Sequence, residues 1–202
     1  MATPPRWFTD TDDNHSQWYV DRFRDLAAEG ADLAGEARFV DAMVARHSRI
    51  LDAGCGPGRT GAALFACGHD VVGVDADPVL IAAAVEDHQG PTWLVQDLAE
   101  LSLASIHQTE PFDAAVLAGN VMAFVAQGTE TQVLANVRSV LKPDGFAVVG
   151  FHTDRYEISL FDSHIAEAGL ILESRFATWD LRPWRDDADF AVSVLRNPTA
   201  RF

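Results

Sequence analysis

The sequence predicts an α/β fold, a three-layer αβα sandwich on a seven-stranded, mostly parallel sheet whose last strand is antiparallel. Three observations carry that expectation. Short apolar segments alternate with helix-patterned ones from Arg49 to Ala168, and parallel neighbours need crossover helices that cover both faces of a sheet. A 202-residue chain with 48% hydrophobic residues has the apolar content for one core, and a chain of this size buries roughly 70% of its unfolded surface. The last two apolar segments are joined by an irregular stretch without helical period, which predicts antiparallel pairing at one sheet edge.

The first 13 residues are polar and proline-bearing and read as a loose arm. Asn14 with Gln17 three residues on forms a capping-box pattern. It opens an expected helix over His15–Ala28, with Trp18, Phe23 and Leu26 among its apolar positions. Gly30 and Gly35 bracket a break, after which 36–46 reads as a second helix with Phe39, Val40 and Met43 on one side. Strands are expected at 49–53, 70–75, 92–96, 112–118, 146–151, 170–178 and 190–196. Between them, a helix over 60–67 ends at Gly68, a residue that accepts the left-handed cap conformation. Asp77 caps a helix with Pro78 at its first position, where a missing N–H costs nothing. Thr129 with Gln132 opens another helix running to Leu141, and Pro143-Asp144-Gly145 has tight-turn chemistry. A last helix over 159–168 closes at Gly169, and only 99–109 is weakly patterned.

The composition excludes several classes. With 15 basic and 30 acidic residues the net charge is −15, so phosphate backbones are repelled and no nucleic-acid partner is expected. Lys142 is the one lysine beside 14 arginines. Cys55 and Cys67 are too few for a stapled secreted fold and lack metal-site spacing, so no metal is expected. Cys67 reads as a buried helix residue. The N-terminus lacks the order of a signal peptide, and no apolar run approaches a membrane span. The expectation is a cytoplasmic single domain over 1–202, with 1–35 as an N-terminal arm and helix and 36–202 as the core.

The most informative stretch is Arg49-Ile-Leu-Asp-Ala-Gly-Cys-Gly-Pro-Gly58. A strand runs into Asp52, then Gly54, Gly56 and Gly58 alternate around Cys55 and Pro57 before a helix. A Gly-rich strand-to-helix turn opening a doubly wound sheet is where nucleotides bind. A dinucleotide fingerprint wants a third glycine at the sixth place, where this chain has Arg59. Asp75 ends the second strand 17 residues beyond Gly58, and a carboxylate there suits the two hydroxyls of a ribose. The third strand runs into Gln96-Asp97-Leu98, where a carboxylate suits an adenine amino group.

These residues, with Leu141-Lys142-Pro143-Asp144-Gly145 before the fifth strand, resemble class I S-adenosylmethionine-dependent methyltransferases of the small bacterial type. The resemblance covers about 36–196 and implies a Rossmann-like fold with the cofactor across the ends of the first four strands. It implies that Asp52 and the backbone of Gly54, Gly56 and Gly58 lie along the methionine part, with Cys55 a small filler in this cofactor-binding turn. Asp75 would grip the ribose hydroxyls with Ala76 beside the adenine; Asp97 and Leu98 would face the adenine amino group and ring; Ala118 and Gly119 would flank the methionine moiety. The first long helix resembles the family's N-terminal helical lid.

Methyl transfer from a sulfonium is an in-line displacement, so holding the acceptor dry and in line is the protein's main task. Catalytic candidates are Asn120 at a strand end, His152 as a base near physiological pH, and Tyr19 on the lid; His15 and Trp18 lie on the same helix. Arg24 and Arg38 are candidates for the cofactor's carboxylate. Trp179, Arg182, Trp184 and Arg185 join the last two strands and suit either a flat or anionic acceptor or sheet-edge packing. The reading is methyl transfer to a small-molecule acceptor, with S-adenosylhomocysteine as product. The alternatives are a non-catalytic S-adenosyl-binding module and, less favoured by the glycine spacing, a nicotinamide-dependent oxidoreductase. Neither the acceptor atom nor the oligomeric state is encoded in these motifs.

Overall fold

The computed structural model of the chain describes residues 3–12 and 14–199. In chain order these form α1 (Arg6–Thr9), α2 (His15–Ala28), α3 (Gly35–Met43), β1 (Arg49–Ala53), α4 (Arg59–Ala66), β2 (Asp70–Asp75), α5 (Pro78–Asp87) and β3 (Thr92–Val95). A single 3₁₀ turn over Leu98–Glu100 follows. The second half comprises β4 (Phe112–Leu117), α6 (Val121–Phe124), α7 (Glu130–Val140), β5 (Leu141–His152), α8 (Ile158–Glu167), β6 (Ile171–Phe176) and β7 (Phe190–Arg196).

The sheet order is β3-β2-β1-β4-β5-β7-β6. Leu51 on β1 lies opposite Val72 on β2 and Ala115 on β4, all parallel. β7 inserts between β5 and β6 and runs antiparallel to both, with Val148 opposite Val194 and Phe176 opposite Val192. The alternation of strand side chains builds two cores. Leu51, Ala115, Val149 and Phe151 face one way, against Val133, Val137 and Phe161. Ile50, Ala114, Val116 and Val148 face the other, against Phe39, Val40 and Leu64. The chain reverses direction across the sheet at β1 and β4, and in such sheets the crevice outside those strand ends is the binding position.

Several local expectations resolve differently. The arm before α2 is not loose: its described part contains α1, tied to the body by long-range contacts. Asn14 sits at the α2 N-terminus without a side-chain cap bond; its backbone N–H donates to Asp12 rather than to Gln17, whose amide donates to Asp21 one turn on. Asp77 does cap α5, accepting from the Val79 N–H at 2.8 Å. Thr129 precedes α7 without capping it; its hydroxyl donates to the Ala126 carbonyl. Pro143-Asp144-Gly145 is not a separate turn but an irregularity within β5, where pairing with β4 jumps from Leu141 to Phe146. Asp144 there takes φ 65, a left-handed conformation that Asp tolerates better than most residues. Cys67 is exposed at the end of α4. Trp18 is exposed too, with the Arg22 guanidinium 5.5 Å over its ring.

Candidate active site

Outside the C-terminal ends of β1, β2 and β4 lies an open cleft. Its floor is the β1–α4 loop, and Pro5, Trp7 and Tyr19 form its roof. The loop is shaped by contact as much as by ligand access. Gly54 has φ 76, and a Cβ built there would lie 2.5 Å from a Val121 methyl; only glycine fits that conformation and that approach. Asp52, Gly54, Cys55, Gly56 and Pro57 all line the cleft, whereas Gly58 does not. An added Cβ on Gly58 would meet Trp93 at 2.9 Å. Its bare α-carbon makes room for the tryptophan rather than for the cleft.

Asp52 is buried, and its Oδ2 accepts the Gly61 N–H at 2.7 Å. Burial pushes its pKa up to about 7, offset in part by that hydrogen bond and by the Arg59 charge. Cys55 is buried in the loop, and burial raises its thiol well above the usual range. Asp75 is half-buried at the end of β2 and organises two loops at once. Its Oδ2 accepts the Gly56 N–H and its Oδ1 the Asp77 N–H, each at 2.9 Å. Burial pushes Asp75 up to about 6, against the pull of these backbone donors. Ala76, Asp97 and Leu98 continue the same wall. Asp97 also caps the 3₁₀ turn, accepting the Ala99 N–H at 2.9 Å.

Ala118 and Gly119, after β4, close the far side. A Cβ on Gly119 would stand 3.5 Å from the Tyr19 hydroxyl, and one on Gly56 would stand 3.5 Å from its ring. Tyr19 therefore spans the cleft opposite two bare backbone segments, and burial raises its pKa. Trp7 meets Tyr19 and Phe124 edge to face, at 5.5 and 5.4 Å between ring centres, giving an aromatic wall.

Other predicted residues lie elsewhere. Asn120 does not line the cleft; its side-chain oxygen accepts the His152 backbone N–H at 2.7 Å. The His152 ring packs edge to face on Phe190 at 4.9 Å, also outside the cleft. Arg24 is held by Glu86 and Asp87, and Arg38 by Asp32, all on the surface. The arginine lining the cleft is Arg59, clasped by Glu36 and the Leu33 carbonyl and laid 5.1 Å over Phe23. Trp179 packs on Phe39, and a Cβ on Gly150 would collide with it at 2.4 Å. Trp184 lies under the Arg175 guanidinium at 5.4 Å, so both tryptophans pack the sheet. The residues that sequence reading missed are Pro5, Trp7, Arg59, Thr60, Leu80, Phe124 and Val125. Arg59 and Thr60 directly follow the glycine loop; none of the others belongs to a spaced motif, and only the fold brings them to that loop.

A family model described as a methyltransferase domain matches residues 50–145. A search of curated proteins gave no significant match. Among solved structures, the chain is similar to a TehB-like SAM-dependent methyltransferase from Corynebacterium glutamicum. The two are 43% identical over 91% of this chain and 98% of that one, with a TM-score of 0.85. The fold alone is shared with the CcbJ methyltransferase from Streptomyces caelestis, at 18% identity over 82% and 90% with TM-score 0.72. It is also shared with an S-adenosylmethionine-dependent methyltransferase from Clostridium acetobutylicum, at 10% identity over 92% and 100% with TM-score 0.74. A Gly-rich loop below a carboxylate-lined cleft thus coincides with near-full-length similarity to a SAM-dependent relative, and the chain belongs to the S-adenosylmethionine-dependent methyltransferases.

Proposed function

We propose that this methyltransferase acts on a small-molecule acceptor, held under the α1–α2 roof at the Trp7–Phe124 end of the cleft. The observation that carries this reading is the roof itself. Pro5, Trp7 and Tyr19 line the cleft from above, and an aromatic wall over the cleft suits a compact acceptor. The net charge of −15 adds repulsion toward nucleic acid.

The lining residues fit the cofactor. Bare backbone at Gly56 and Gly119 leaves open the space that side chains would fill opposite Tyr19. Asp75 keeps lone pairs beyond those engaged by Gly56 and Asp77, enough to accept two ribose hydroxyls. Ala76, Leu80 and Leu98 offer an apolar slot for adenine, with the Asp97 carboxylate at its amino edge. Asp52 suits the ammonium of the methionine part and Arg59, in place of Arg24 or Arg38, its carboxylate. Ala118 and Gly119 flank the same part. S-adenosylmethionine, when bound, supplies the activated methyl carbon. The chain's own contribution is to orient the acceptor and exclude water, worth several kcal/mol as positioning alone. We assign contact with the acceptor to Tyr19, whose hydroxyl lies over Gly119; Asn120 and His152 act at most through the backbone turn they share.

Calorimetric titration with S-adenosylhomocysteine, beside NAD, tests the site. Wild-type protein is expected to bind the first at micromolar Kd and not the second, and Asp75→Ala to abolish binding. Unchanged binding by that variant would reject the assignment of Asp75. Label transfer to small-molecule pools, with tRNA and protein as competitors, then tests the acceptor class.

A further inference from the structure

The loop between β2 and α5 carries two aspartates with different partners. Asp75 faces the cleft, while Asp77, two residues on, is 2% exposed and turns toward the roof. The Asp77 carboxylate gathers three donors. Its Oδ1 accepts the Val79 N–H, which is an ordinary helix cap. Its Oδ2 accepts the Trp7 indole N–H at 2.7 Å and the Ser16 hydroxyl. Trp7 belongs to α1 and Ser16 to α2, so one oxygen ties both roof helices to the loop. The Asp77 backbone N–H in turn donates to Asp75, whose other oxygen holds Gly56. A continuous hydrogen-bonded path therefore runs from the roof through Asp77 and Asp75 to the glycine loop.

A cap explains the first of these contacts and not the others. Asparagine, serine or threonine would cap α5 as well, but a charged oxygen receiving two side-chain donors from separate helices exceeds what a cap requires. The opposite wall has its own anchor. Arg6, adjacent to Trp7, donates to the Val125 carbonyl at 2.9 Å and pairs with Glu130 at 2.9 Å. Consecutive residues of α1 are thus fastened to different walls, and the aromatic ring between them is set at the acceptor end.

We infer that Asp77 is a positioning residue of the transfer reaction, fixing the roof over the cleft through the loop that presents Asp75. This rests on the reading of Asp75 as the ribose-binding carboxylate. Asp77→Asn keeps the cap acceptor and the backbone N–H but replaces the oxygen that Trp7 and Ser16 share with a donor. Trp7→Phe and Ser16→Ala remove the roof donors and leave the loop untouched.

The test is S-adenosylhomocysteine affinity by calorimetry across these variants, with thermal melts of the ligand-free proteins as control. Charge-assisted hydrogen bonds are stronger than neutral ones, so Asp77→Asn is expected to raise Kd about tenfold and each roof variant severalfold, with melts close to wild type. Combining Asp77→Asn with Trp7→Phe is expected to be no weaker than Asp77→Asn alone, since both remove one interaction. Wild-type affinity in Asp77→Asn, or losses that simply add in the double variant, would overturn the assignment. If Asp77→Asn does not fold, wild-type affinity in both Trp7→Phe and Ser16→Ala overturns it instead. Asp75→Asn, run alongside, separates the two readings: normal binding there rejects the ribose contact while the Trp7–Asp77 coupling is still measured.

Discussion

At the residue scale, the cleft is governed by carboxylates held away from their usual range. Burial brings Asp52 to about 7 and Asp75 to about 6 in the ligand-free protein. Each therefore retains its proton, in part, at pH values where an exposed aspartate is fully ionised. A ligand bringing an ammonium to Asp52 and hydroxyl donors to Asp75 favours the ionised forms. Binding must then release protons, and affinity must rise with pH. S-adenosylhomocysteine titrations are expected to show Kd falling from pH 5.5 to 7.5 and levelling above. Asp52→Asn should flatten the upper part of that curve, and a pH-independent Kd in the wild type would contradict the assignment. The motif residues Asp52, Gly54, Gly56, Asp75, Asp97 and Gly119 were legible because spacing along consecutive strand ends fixes their neighbourhood. Arg59 was not legible as a site residue, for the opposite reason. Its place in the glycine pattern is visible, yet its clasp by Glu36, 23 positions earlier, depends on how α3 packs beside α4.

At the element scale, the bounds of β1, β2, β7 and α2 follow directly from residue periodicity and punctuation, and the structure reproduces them. The N-terminal arm did not read as ordered, because its helix spans only four residues and no short helix is stable alone. Its order comes from Arg6 and Trp7 reaching partners 119 and 70 positions away, which no local pattern records. The same holds for Trp93 on β3. Its indole lies against bare α-carbons at Gly58, Gly61 and Gly73, where added Cβ atoms would meet it at 2.9, 2.8 and 2.2 Å. Two of these glycines border the nucleotide turn, so a loop that looks built for a ligand is built equally for a tryptophan. Gly73→Ala, whose added methyl would meet Trp93 and, at 3.2 Å, the Cys55 sulfur, is expected to destabilise the protein by about 3 kcal/mol through overpacking. Chemical denaturation measures this, and a loss near zero would mean that Trp93 can move aside.

At the scale of the whole molecule, one continuous sheet carries both the cleft and its distant edge, so ligand binding and global stability are linked. S-adenosylhomocysteine at 100 times its Kd is expected to stabilise the fold by about 2.7 kcal/mol. For a chain of this length that corresponds to a rise in Tm of about 5 to 10 °C, readable in a thermal scan. No rise at saturation would require equal affinity for the unfolded chain. Among the described residues, no helix is long and apolar enough to cross a membrane. The placement of β7 reaches further than architecture. Sixth and seventh in sequence exchange places in the sheet, so among the described residues β7 is the one strand that pairs with β6, beside a single bridge from Phe176 to Pro183. Without 190–196 in place, β5 and β6 would each present an open edge, since β7 is what joins them. Open edges invite pairing with other chains, so a molecule in which β7 has come loose is one that can stick to its neighbours.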